Sequence, residues 1–316
     1  MVSKMDRHTT MFTYLIAGQR WRSAIPLPGF APLEDGCYSE ADVIVEHGEV
    51  PIGLAEAEYR TRHLQVRRRD GLVLLRPPLG PRYLIGGGRI VVEAADGRDL
   101  ALASSALVST LFGTLCHQRG LLPLQASGVA VGDSAVLIAG ASGVGKSALA
   151  ASLALEGFAP VADGVVPVTL DAGQGPVALP TTERLRLWPE TVAGLGLNAE
   201  AVDFFAEEGL RGHWDPGLNP GCGPRPIAAL YVVLPQRRAD PDLTPLSGSK
   251  KVGMIAEVTY RPLLQRVLGN HPAGFPIQVA LGQRVPIHYF AAPSGYERLP
   301  DACRMLYRNW EALGIL

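Results

Sequence analysis

No stretch constrains this chain more than Gly140-Ala141-Ser142-Gly143-Val144-Gly145-Lys146-Ser147. It reads G-x-x-x-x-G-K-[ST], a glycine-rich turn that works only between a strand and a helix. Glycines let successive backbone N–H groups turn inward to cradle phosphate oxygens, and the positive end of the following helix reinforces the cradle. Lys146 reaches the outer phosphates, the Ser147 hydroxyl is placed to ligate Mg²⁺, and Ala148 completes the first turn beside them. The flanks agree. Ala135–Ala139 is apolar throughout and predicts a buried strand, while Ser147–Glu156 predicts a helix stopped by Gly157. The alternative, a glycine-rich turn before an ordinary helix, is weakened because the chain has only four lysines and one fills the required place. A nucleotide site that also holds Mg²⁺ is expected here.

Composition sets the outer bounds. The chain has 316 residues, enough for two domains with separate cores, and 47% hydrophobic content excludes a disordered or fibrous protein. No apolar stretch is expected to approach the roughly 18–20 residues of a membrane helix. Met1–Thr10 is polar and lacks the apolar core of a signal peptide, so the expected location is the cytoplasm. Cys37, Cys116, Cys222 and Cys303 are widely spaced, which predicts free thiols in place of disulfides or a zinc site. A net charge of −1 argues against a general nucleic-acid partner.

Residues 1–98 read as a β-rich accessory domain. Short apolar or alternating runs at Met11–Ala17, Val43–Glu46, His63–Arg67, Leu72–Arg76 and Arg89–Glu93 are separated by Pro/Gly punctuation. The phosphate-loop domain is assigned to 99–316. It opens with a helix over Asp99–Arg119, where His117 is expected to act as a cation near the helix C-terminus. Gly132-Asp133 is a two-residue hairpin signal directly before the strand that feeds the loop. That strand is therefore an arm of an antiparallel pair, and the sheet is expected to be mixed: an α/β fold unlike the doubly wound NTPases. Farther on, Ala201–Gly209 is read as helical and Gly212–Pro226 as a mobile loop over a site. Val252–Leu268 is read as one helix, and Leu299–Leu313 as a closing amphipathic helix.

Phosphoryl transfer needs a phosphate cradle, a metal ligand and a carboxylate near the acceptor hydroxyl. Phe158–Ala162 predicts the strand after the loop helix, and Asp163 ends it. That position brings Asp163 beside the loop, as base or as a metal ligand alongside Ser147. Asp133, Asp171 and Asp215 sit in turn-like settings and are read as turn residues. Arg211, Arg225 and Arg261 are phosphate partners by residue type alone.

Leu122–Leu170, with its hairpin, its loop and then Val161-Ala162-Asp163, resembles the bacterial HPr kinase/phosphorylase family. Those enzymes have a G-x-S-G-x-G-K-S loop and a following strand ending in Ala-Asp-Asp. The resemblance implies a fold akin to phosphoenolpyruvate carboxykinase. The wider chain looks closer to divergent relatives found with lasso-peptide biosynthesis, which phosphorylate a serine of a precursor peptide. Ser23-Ala24-Ile25-Pro26-Leu27-Pro28, Leu185-Arg186-Leu187-Trp188-Pro189 and Val285-Pro286-Ile287 carry that likeness. It implies an ATP-dependent serine kinase acting on a peptide or protein, and an oligomer by analogy with hexameric family members.

Three positions depart from the pattern. Gln125 stands where the family has histidine, Gly164 where it has a second acid, and Ala148 where it has an acid directly after the loop serine. Gln125 can still hydrogen-bond a phosphate in catalysis but carries no proton or charge at neutral pH. These departures keep a second reading in play: a nucleotide-binding regulatory or scaffold protein with weak transfer. Simple ATP hydrolysis, a third reading, has no recognisable sensor or arginine-finger motif.

Overall fold

The computed structural model describes residues 10–33, 40–204, 211–235, 240–269 and 271–316. The first sheet contains β1 (Phe12–Ile16), β2 (Gln19–Ser23), β3 (Val43–His47), β4 (Tyr59–Arg60), β5 (Leu64–Arg67), β6 (Leu72–Leu75), β7 (Arg82–Gly86) and β8 (Arg89–Glu93). Their spatial order is β1-β2-β3-β8-β7-β6-β5-β4. Strand alternation turns Tyr14, Ile16, Trp21, Val43, Val45, Ile85 and Ile90 inward.

The helix Gly97–Gln118 covers that inner face. Asp96 caps it by accepting the Asp99 N–H, and Leu107, Leu111, Phe112, Leu115 and Cys116 join the core of the first sheet. Its middle turn, Leu107–Leu111, is π-helical. The helix is long and apolar enough to cross a membrane by length and composition, contrary to the sequence expectation, and half of its apolar window is buried inside the protein. His117 also departs from expectation. It is buried, and burial lowers its pKa, so it is neutral and donates from Nε2 to the Tyr260 carbonyl at 2.8 Å.

The chain then enters a second sheet through β9 (Leu122–Leu124), β10 (Ala126–Val131), β11 (Ser134–Ala139), β12 (Pro160–Asp163), β13 (Val166–Asp171) and β14 (Gly175–Ala178). A three-stranded sheet follows from β15 (Leu185–Leu187), β16 (Val202–Phe204) and β17 (Gly212–Trp214), in the order β15-β17-β16. The second sheet resumes with β18 (Arg225–Val233), β19 (Asp242–Pro245) and β20 (Ile287–Ala291). Its main path is β12-β10-β11-β18-β14-β13-β9, with β20 on β18 and β19 on β20.

The sheet is mixed. β10 pairs antiparallel with β11 through the Gly132-Asp133 turn, whereas β11, β18 and β20 run parallel. Because β12 is also antiparallel to β10, β11 and β12 point the same way with β10 inserted between them. The loop helix Lys146–Leu155 joins them as a split βαβ unit. One face of the sheet packs on that helix and on Leu299–Leu313, around Val136, Ile138, Tyr231 and Trp310. The other face packs on Ser249–Val258 and His271–Arg284, around Leu137, Leu230 and Leu281. Burying side chains of this size stabilises by about 1.5–3 kcal/mol each, so both faces hold the loop's anchoring strand rigid.

Three expectations are corrected. Val202–Phe204 is a strand where a helix is read from the sequence, and residues 205–210 lie outside those described. Gly212–Trp214 is a strand paired on both sides, so the expected loop is shorter. Val252–Leu268 is two helices, Ser249–Val258 and Pro262–Leu268. The break falls where Thr259 bridges to Leu124 and where Pro262 has no N–H to continue the first helix. Cys116 and Cys303 are buried free thiols and Cys222 an exposed one; Cys37 lies outside the described residues.

Candidate functional site

The parallel strands β11, β18 and β20 end at one edge, where residues at or just beyond their ends line a cavity of about 610 Å³. Gly140–Ser147 follows β11. Gly143 and Gly145 have φ of 80° and 101°, the left-handed region that turns N–H groups toward a common concavity. Gly140 is confined from another side, since a Cβ there would meet the Val233 carbonyl at 2.8 Å. Ser142, Gly143, Gly145, Lys146, Ser147 and Ala148 line the cavity. Val144 turns its side chain into the core, and Ala141 presents its carbonyl to Lys146 Nζ at 2.7 Å.

Lys146 is 8% exposed. Burial pulls its pKa down to about 8 against the attraction of Asp163, while Arg211 and Arg186 push it the same way as burial. Asp163 is brought beside the loop by β12, level with Ser127 on β10. Its Oδ1 accepts from Ser147 Oγ at 2.8 Å and Ser127 Oγ at 2.5 Å, and its Oδ2 accepts the Arg186 N–H at 2.8 Å. Among the described residues lining the cavity it is the only carboxylate.

Gln125 also lines the cavity, between β9 and β10. Its N–H donates to the Val258 carbonyl at 2.7 Å and its carbonyl accepts the Gly140 N–H at 3.2 Å. The residue thus ties the start of the loop to the segment that carries Tyr260 and Arg261.

Of the three arginines named by type, Arg211 and Arg261 line the cavity. Arg225 instead donates to the Gly132 and Pro220 carbonyls. Arg211 lies 4.4 Å from the Trp188 ring centroid, and burial together with Arg186 lowers its pKa. Arg186 is a cavity residue that the sequence reading uses only as part of a resemblance. Its place on β15, between Asp163 and the inner strand β17, emerges only from the pairing of three short strands. Gly164, at φ +87°, leaves room for it: a Cβ there would meet Arg186 Nη2 at 2.6 Å. The space a second acidic side chain would need is filled by a guanidinium.

The donor set fits a nucleoside triphosphate with Mg²⁺. Inward-turned amides and three clustered cations, Lys146, Arg186 and Arg211, suit phosphates. The hydroxyl–carboxylate pair of Ser147 and Asp163 suits a magnesium ion that keeps most of its water. No group of three or more His, Cys, Asp or Glu that could hold a metal ion occurs among the described residues.

No protein-family model and no curated protein matches the chain. Among solved structures, the HPr(Ser) kinase/phosphatase from Coxiella burnetii is similar over 60% of this chain and 96% of its own, at 15% identity and a TM-score of 0.31.

Proposed function

We propose that this chain is a kinase that binds ATP and transfers the γ-phosphoryl group to a hydroxyl, namely a serine on a peptide. On the sequence resemblance, that peptide is a lasso-peptide precursor. The observation that carries the proposal is the convergence of Lys146, Ser147 and Asp163 at one end of a glycine-cradled cavity. Phosphoryl transfer is mostly positioning and electrostatic stabilisation, and these groups supply both. The β/γ phosphates lie in the loop amides against Lys146, with Arg186 and Arg211 offsetting charge that develops in transfer. Ser147 and Asp163 would hold Mg²⁺, which would supply neutralisation of the phosphate charge. Asp163, the one carboxylate among the described residues lining the cavity, takes the acceptor's hydroxyl proton.

In this reading the nucleotide also has a direction. Asp163 marks the γ end at β12, and the base lies toward β18 and β20, where Leu149, Val233, Ala292, Tyr296 and Leu299 line the cavity. Thr191 and Tyr296 share a hydrogen bond of 3.2 Å there, which fixes the tyrosine ring as a stacking surface. Residues 1–98 serve as an accessory unit to the kinase domain 99–316, with the helix Gly97–Gln118 spanning that boundary and packing on the first sheet.

The second reading, a nucleotide-binding regulator with weak transfer, is favoured by one observation: a guanidinium occupies the space beside Gly164. The deciding experiment incubates the protein with Mg²⁺-ATP and serine peptides, then reads phosphoserine by mass spectrometry. Phosphopeptide formed in proportion to enzyme supports the kinase. Nucleotide binding with no phosphopeptide from any acceptor supports the regulator.

A further inference from the structure

Gln125, Val165, Ser109, Tyr260 and Arg261 line the same cavity as Asp163. Part of this lining comes from an element distant in sequence. The π-helical turn Leu107–Leu111 widens the helix at the cavity wall and brings Ser109 into its lining; such turns recur at functional sites. One turn later Gly113 lets the Tyr260 ring lie against the helix, since a Cβ there would meet the ring at 2.5 Å. His117 holds the Tyr260 carbonyl.

Arg261 is then presented in an unusual way. Its φ of 47° and ψ of 64° are left-handed, and it precedes Pro262, which disfavours helical conformations for the residue before it. The strain is held by the surroundings: Arg261 Nη2 donates to Thr110 Oγ1 at 3.0 Å, and its guanidinium lies 5.7 Å from the Tyr260 ring centroid. Strain of this kind gathers at sites where a side chain must be aimed. Arg261 is exposed, and its guanidinium is held on the Thr110 and Tyr260 side of the cavity. Four cations and one carboxylate line the cavity among the described residues. Lys146 and Arg211 both interact with Asp163 and Arg186, whereas Arg261 is anchored on Thr110.

Resting on the phosphotransfer reading, we infer that Ser109, Thr110, Tyr260 and Arg261 form an acceptor subsite for an acidic peptide segment, with Arg261 pairing a carboxylate beside the acceptor serine. An exposed arginine at the cavity mouth suits a chain running across it better than an enclosed small molecule.

The test measures binding of fluorescent peptides with one central serine flanked by glutamates, glycines or lysines, in the presence of a non-hydrolysable ATP analogue. Wild type should bind the glutamate peptide about tenfold tighter than the glycine peptide, the size of one charge-assisted hydrogen bond. Arg261→Gln should remove that preference, and Arg261→Glu should transfer it to the lysine peptide. Affinity for the ATP analogue serves as the check that each variant is folded. Equal binding of all three peptides by wild type, or a glutamate preference surviving in Arg261→Glu, overturns the inference. If the glutamate peptide binds through Arg261 but ATP yields no phosphoserine, the kinase reading falls and the subsite stands. If all three peptides bind equally and are phosphorylated equally, the subsite falls and the kinase reading stands.

Discussion

Ser147 Oγ and Ser127 Oγ both donate to the same oxygen of Asp163, at 2.8 and 2.5 Å. One serine belongs to the phosphate loop and the other to the strand inserted between the two arms of the split βαβ unit. The shared oxygen therefore couples loop, inserted strand and β12 at the point where the γ-phosphate is expected. The other oxygen is fixed by the backbone N–H of Arg186, so the carboxylate is oriented before any ligand arrives.

From that orientation follows the behaviour of Asp163→Asn. The amide keeps the shape and one acceptor oxygen, but it cannot take a proton or neutralise a metal. Phosphopeptide formation should fall about 10²–10⁴-fold, while affinity for a fluorescent ATP analogue without Mg²⁺ changes less than about threefold. A variant that transfers at the wild-type rate removes Asp163 from the chemistry.

Lys146 predicts a pH dependence of nucleotide binding. Its pKa is depressed to about 8, mainly by burial. Below pH 8 the ammonium is charged and pairs with the phosphates. As pH rises through 8 the free protein loses that charge, and binding must be accompanied by proton uptake. Affinity should thus be flat from pH 6.5 to 7.5 and then decline, by at most about tenfold per pH unit, one proton being linked. Titrations at pH 7, 8 and 9 read this directly. Lys146→Arg should abolish the decline because a guanidinium does not titrate in this range. Lys146→Ala should weaken binding about tenfold to a hundredfold at pH 7.

Gly164 should disfavour a side chain, chiefly through its backbone and secondarily by displacing the end of Arg186. A φ of +87° already disfavours an L residue, and the added Cβ meets Arg186 Nη2 at 2.6 Å. Gly164→Ala should cost about 1–3 kcal/mol of stability in denaturant melts. Combining it with Arg186→Ala relieves the steric part but leaves the backbone part, so the double variant should be more stable than the sum of the two losses predicts. Strict additivity would show that Arg186 does not press on this position.

These cases also show how legibility divided. The loop, the hairpin at Gly132-Asp133, the strand ending in Asp163 and the helix Leu299–Leu313 are readable because each is a local pattern: a motif, a turn dipeptide or an apolar period. β2 is harder to read, because Gln19-Arg20-Trp21-Arg22-Ser23 buries its hydrophobic character in one tryptophan. The places of Arg186 and Arg261 in the cavity are not local at all. Arg186 is set by β15 pairing with a strand 25 or more residues later, and Arg261 by a helix about 150 residues earlier. His117 misled for a similar reason: helix-end position suggests a cation, whereas its burial under Tyr260 makes it neutral.

Gln125 offers the sharpest test of the proposed chemistry. Its backbone is committed at both ends, to Val258 and to Gly140, so a substitution there changes the side chain in the cavity without loosening the loop. A glutamine gives a phosphate one neutral hydrogen bond. A protonated imidazole gives a charge-assisted one, roughly twice as strong. Gln125→His should therefore raise the single-turnover rate of phosphopeptide formation, about tenfold at pH 6, where the ring is mostly charged. The gain should shrink toward pH 8 as the ring loses its proton. Wild type, whose glutamine does not titrate, should show no such gain on acidification. The measurement is phosphoserine formed from ATP in single-turnover reactions at pH 6, 7 and 8 on both proteins. A rate unchanged or lowered at every pH would place Gln125 outside the transfer step and leave it as the backbone clasp that holds the loop to the acceptor wall.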